Sequence, residues 1–161
     1  MDDFLKELIE NKKYLQARNE LIEMNIVDIA QILEELDREK LLIIFRILPK
    51  EIAAGVFSHI PNELQQYIIE SITDKETSNI IDKLYLDDTV DFLEEMPSNV
   101  VKKVLKNTDE ETRKLINQFL NYPEDSAGSI MTIEFVDLKK HMTVGEALSH
   151  IKATGVDKGT I

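Results

Sequence analysis

The chain has 161 residues and a formal net charge of -12 at pH 7, a length suited to one domain and a fragment of a second. Hydrophobic residues make up 43% and aromatics 6%, with no Trp, so a core of Ile, Leu and Val can form and wholesale disorder is excluded. An acidic surface repels a phosphate backbone, which argues against nucleic acid as a partner, and the lack of Cys excludes disulfides and thiolate metal sites.

The N-terminal MDDFLKELIENKK has neither the basic start nor the apolar run of a signal peptide. No apolar run approaches the roughly 20 residues of a membrane span; the longest is Leu41 to Phe45. Residues 2 to 24 predict one or two helices, with Leu5, Leu8, Ile9, Leu15, Leu21, Ile22 and Met24 as apolar contacts.

A repeat of twelve residues follows. Its apolar members are Ile32, Leu33 and Leu36, then Ile44, Phe45 and Leu48, then Val56, Phe57 and Ile60. Ile68, Ile69 and Ile72, then Ile80, Ile81 and Leu84, then Phe92, Leu93 and Met96 continue it. A seventh copy, Val104, Leu105 and Thr108, replaces its last member with a polar residue. The spacing i, i+1, i+4 makes one stripe on a helix and not the alternation of a strand. Asp37, Pro49, Pro61, Thr73 and Pro97 mark the breaks, where Pro suits the first helical turn. Thr73 with Glu76, and Thr108 with Glu111, have capping-box spacing. Helices of about nine residues are marginal alone and form by burying the stripe on neighbours. The predicted fold is all-α: a solenoid of short helices with a twelve-residue repeat over residues 1–121, closed by a longer helix from Thr108 to Asn121.

YPEDSAGSIMT holds Pro, Gly and small residues, so residues 122–132 read as a linker. Residues 133–138 predict a strand, and Thr143 with Glu146 starts a capped helix through about Ile151. VDKGTI, from Val156, predicts a further turn and strand. Residues 133–161 thus read as the incomplete start of a second domain.

Little here suggests catalysis. His59, His141 and His150 have no partner at ligand or catalytic spacing, and no phosphate loop, G-x-S-x-G or H-E-x-x-H is present. The sharpest local feature is LYLDDTVDFLEEM, residues 84–96, with Asp87, Asp88, Asp91, Glu94 and Glu95 and no Lys or Arg from Leu84 to Val101. On a helix, Asp87, Asp91 and Glu95 share one ridge. The plain reading is a solvated face with helix-start acids favoured by the dipole. The functional reading is half of a hard-cation site, since Mg²⁺ keeps several waters and uses one or two carboxylates.

LPKEIAAGVFSHIP, LYLDDTVDFLEEMP and especially YPEDSAGSIMTIEFV followed by MTVGEALSHI resemble the cytosolic region of MgtE-type magnesium transporters. The helical repeats alone are also similar to a flagellar motor switch protein, which would make the chain a protein-binding scaffold. The transporter resemblance implies a right-handed helical superhelix followed by CBS domains, of which residues 133–161 would be the start. It implies a regulatory role: Mg²⁺ between the acidic helical domain and the CBS domains holds the assembly compact and the pore shut. The implied partners are the CBS and transmembrane domains of the same polypeptide, in a homodimer at the cytoplasmic face of the membrane. The family's metal-contacting acids fall on Asp87, Asp88 and Asp91, with Asp87 and Asp91 the stronger pair. A further family acid falls on Gly55, which has no side chain to offer.

Overall fold

A computed structural model describes residues 3–123, 125–155 and 158. Among them are eleven α-helices and no strand. They are α1 (Asp3–Glu10), α2 (Tyr14–Leu21), α3 (Ile26–Glu35), α4 (Arg38–Ile47), α5 (Lys50–His59) and α6 (Asn62–Ser71). Then come α7 (Asp74–Ile81), α8 (Leu86–Glu94), α9 (Ser98–Lys106) and α10 (Glu110–Phe119). A 3₁₀ turn at Ala127–Ser129 precedes α11 (Val144–Thr154).

The repeat sets the helix starts. The residues just before α2 to α10 are Lys13, Asn25, Asp37, Pro49, Pro61, Thr73, Tyr85, Pro97 and Asp109, one every twelve positions. Side-chain oxygens of Asn25, Asp37, Thr73 and Asp109 accept the amide hydrogens that each first turn leaves over. The prolines stand one residue ahead of the first turn rather than within it. Thr73 with Glu76 and Thr143 with Glu146 form complete capping boxes. The box expected at Thr108 and Glu111 does not form. Asp109 caps α10, and Thr108 is buried with its hydroxyl donating to the Val104 carbonyl. Thr108 thus keeps its place in the stripe by satisfying its hydroxyl on the last turn of α9.

Every stripe residue is buried or packed against the core. Helices pack on the next but one along the chain: α2 on α4, α3 on α5, α5 on α7, α7 on α9 and α8 on α10. That pattern is a stack. Basic side chains tie it across layers by donating to the carbonyls at helix ends. Arg18 Nε reaches the Ile47 oxygen at 2.9 Å, and Lys103 Nζ reaches those of Ile69 at 2.6 Å and Ile72 at 2.5 Å. A cation there also complements the helix dipole.

Several expectations need correction. Leu15 is 72% exposed, because the contact face of α2 runs through Tyr14, Ala17 and Leu21 and turns Leu15 outward. α10 has 10 residues, no more than α3 to α6. Residues 133–138 form no strand; only Phe135 takes a β-bridge, and a lone extended segment lacks the neighbours that make a sheet. The turn and strand expected from Val156 fall, apart from Lys158, outside the described residues.

Phe57 sits at the junction that places α8. Its ring meets Phe92 of α8 edge-on at 5.0 Å between centroids and Phe45 of α4 at 6.4 Å. Phe57→Ala leaves a cavity between α5 and α8 and is expected to lower stability by about 3–5 kcal/mol, measured by urea unfolding.

Candidate functional site

The stripe residues Phe92, Leu93 and Met96 fix which way α8 faces. All three are buried, as are Leu86, Thr89 and Val90. The remaining positions carry the acids. Asp87 and Asp88 are half-buried in the first turn; Asp91, Glu94 and Glu95 are exposed. Among the described residues none of the five makes an ion pair. Of the flanking bases, Lys83 pairs with Glu51 at 3.4 Å and Lys103 with the end of α6, while Lys102 is exposed and reaches none of the five. The charge run legible in the sequence is therefore uncompensated in space.

The three expected site residues look onto two clefts. Asp87 lines one with Phe119 and the linker residues Ser129, Ile130 and Met131. Asp88 lines another with Ser58, Asn62 and Gln65. Asp91 borders both. In the second cleft Gln65 is 5% exposed; its amide donates to the Phe57 carbonyl at 2.8 Å, and its oxygen has no partner. No three Asp, Glu or His side chains converge closely enough to enclose a metal ion among the described residues. The face can offer a hydrated cation one or two carboxylates, and a second surface would supply the rest.

Electrostatics mark this face out. Burial, followed by repulsion from Asp87, pushes the Asp88 carboxyl above its ordinary value; the His59 ring and Ser58 hydroxyl oppose this only in part. Partial desolvation of its otherwise exposed carboxyl, and then Asp87, raise Asp91 as well. Elsewhere carboxyls are lowered by local partners: Lys40 for Asp37, Thr112 for Asp109, and Thr73 for Glu76.

Glu134 belongs to the same cluster, and sequence reasoning missed it. Its carboxylate accepts the Leu86 amide hydrogen at 2.9 Å, across 48 residues of chain. Burial raises it, with Asp87 and Asp88 adding to the rise, while the Leu86 bond and Lys158 oppose. The one available signal was that Tyr85, at a capping phase of the repeat, has no capping side chain.

Gly55 faces α3. A Cβ there would lie 2.8 Å from Ile26 Cδ1, and the Gly55 carbonyl lies within hydrogen-bonding reach of the Ser58 hydroxyl and His59 Nδ1. Gly128 is held against the Tyr122 ring, which a Cβ would meet at 2.7 Å. Tyr122 in turn stacks edge-on with Phe119 at 5.5 Å. This close approach seats the linker beside α8.

Fold and face together define a helical-repeat module whose α8 carries Asp87, Asp88, Asp91 and Glu94 and no base. Residues 24–125 match the family described as the MgtE intracellular N domain, and the chain belongs to that family. It is 29% identical over 160 residues to the magnesium transporter MgtE of Thermus thermophilus and 24% identical over 146 residues to that of Bacillus subtilis. These matches cover 98% and 91% of this chain but 36% and 32% of the relatives, so the chain spans about a third of their length. Two solved structures share the fold. One is the soluble part of a magnesium transporter, with a TM-score of 0.85 and 24% identity, over 98% of this chain and 62% of that one. The other is the cytosolic domain of the Mg²⁺ channel MgtE in complex with ATP, with a TM-score of 0.82 and 30% identity, over 98% and 64%. No helix among the described residues is long and apolar enough to cross a membrane.

The raised carboxyls have a measurable consequence. A raised acid binds its proton more tightly folded than unfolded, so ionising it costs stability. That cost is absent below the ordinary carboxylate range and complete above the raised value. Carboxyl ¹³C titration is expected to show Asp88 and Asp91 losing protons at higher pH than Asp37 and Asp109, and Glu134 at higher pH than Glu76. The reverse order would contradict the burial described.

Proposed function

We propose that this chain is the cytosolic regulatory, Mg²⁺-sensing domain of a magnesium transporter or channel, with Asp87, Asp88 and Asp91 on its ion-binding face. The observation that carries the reading is an acidic helix, seated on the stack, whose five acids make no ion pair among the described residues. Membership of the MgtE intracellular N domain family and likeness to two magnesium transporters support it. The ion is a regulator here, and no catalytic role is assigned to any residue.

The mechanism is electrostatic. In the whole polypeptide the acids of α8 face CBS domains, and a transmembrane domain lies beyond, within a homodimer at the cytoplasmic face of the membrane. Two unit charges 4 Å apart repel by about 1 kcal/mol in water and about 4 kcal/mol at an effective dielectric near 20. A few such pairs decide whether two domain surfaces stay together. Mg²⁺ between them replaces repulsion with attraction, so high cytosolic Mg²⁺ holds the domains together and the pore shut. When Mg²⁺ falls, the surfaces separate and the pore opens.

Titration with Mg²⁺, followed by backbone NMR shifts, is expected to move residues 87–95 before the acids around Glu39 and Glu110. In the whole transporter, Asp87→Asn with Asp91→Asn is expected to raise the Mg²⁺ concentration needed to shut the pore. A response spread evenly over the chain, or an unshifted closing concentration, would count against the reading.

A further inference from the structure

Tyr85 stands at the one position of the twelve-residue phase, from Asn25 to Asp109, held by neither proline nor a capping side chain. The first amide of α8 is not left unpaired. The Leu86 N–H donates to Glu134 Oε2 at 2.9 Å, so a side chain 48 positions later supplies the acceptor that the local sequence omits. Glu134 is itself held in place, its own amide donating to the Thr132 hydroxyl at 3.1 Å. Alongside it, Ile133 lines a cleft with Leu84, Leu86 and Leu115. The contact thus pins the segment after the linker to the start of α8.

The pin carries an opposing force. Glu134 lies within the fields of Asp87 and Asp88, both repulsive, with Lys158 the countercharge. A neutral acceptor would hold the Leu86 amide without meeting that repulsion. The carboxylate is the stronger acceptor for the bond itself, but docking it beside Asp87 and Asp88 costs repulsion that a cation there relieves.

We propose that Glu134 is a positioning residue that couples cation occupancy at Asp87 and Asp88 to the docking of residues 131–135 on α8. It acts as a latch that closes more firmly when Mg²⁺ is present. The inference rests on the reading of α8 as an ion-binding helix, and it adds the element within this chain that moves in response. Linkage requires reciprocity: if Mg²⁺ tightens the latch, the closed latch tightens Mg²⁺ by the same factor.

Exchange of the Leu86 amide hydrogen, with and without Mg²⁺ and with NaCl at matched ionic strength, tests this in the wild type, Glu134→Gln and Glu134→Ala. In the wild type, Mg²⁺ is expected to slow exchange by about fivefold or more, the lower range of measured couplings. Glu134→Gln keeps an acceptor and removes the charge. Its Leu86 amide is expected to be protected already without Mg²⁺ and to respond less than about twofold, well under such couplings. Glu134→Ala is expected to leave the amide fast under every condition. A purely structural hydrogen bond would give Glu134→Gln the Mg²⁺ response of the wild type, which overturns the proposal, as does a wild-type amide that ignores Mg²⁺. Shifts of Asp87 and Asp91 on adding Mg²⁺ separate the two failures. If they respond and Leu86 does not, the latch alone falls; if they do not respond, the ion-binding reading falls with it.

Discussion

The molecule depends on helices too short to stand alone. Helices of 8 to 10 residues pay nearly the full nucleation penalty for few hydrogen bonds, so each persists only by burying its stripe on neighbours. A stripe recurring every twelve residues provides those neighbours at regular intervals, and the chain stacks instead of collapsing into a bundle. The same constraint explains the cross-layer bonds from Arg18 and Lys103 to distant helix ends. Carbonyls left over at the end of a short helix are a large share of its backbone and need partners.

A rigid stack can carry an arrangement that a flexible chain would relax. Asp87, Asp88 and Asp91 cannot move apart while Phe92, packed on Phe57, fixes the rotation of α8. Lys83 and Lys103 cannot swing over to neutralise them while they hold Glu51 and the end of α6. Repulsion is therefore stored on one face, and the raised pKa directions of Asp88, Asp91 and Glu134 reflect desolvation first and that repulsion second. Stored repulsion is what an arriving cation can release, so the fold and the proposed sensing share one origin.

The repeat was legible because the stripe and the capping phase agree along most of the chain. Pro49, Pro61, Thr73 and Pro97 each marked a real helix start. The acidic helix was legible for the same reason: Phe92, Leu93 and Met96 fixed its inner face and left the acids outside. What escaped depended on partners distant in sequence. Leu15 has the right character but the wrong rotation on α2, and nothing local shows that Ala17 is the contact. Thr108 and Asp109 are both competent caps, and the stripe's demand for burial decides between them. Glu134 could not be paired with Leu86 from spacing, because 48 residues separate them. Tyr85 recorded only that a local cap was missing.

Hydrogen exchange along α8 tests the central claim most directly, compared between Mg²⁺ and NaCl at matched ionic strength. If acids held together on this face form a site, Mg²⁺ protects the amides of residues 86–94 beyond what NaCl achieves, while α4 and α6 show no such difference. Equal protection by the two salts would mean that the acids are only a solvated surface screened like any other, and would contradict the claim.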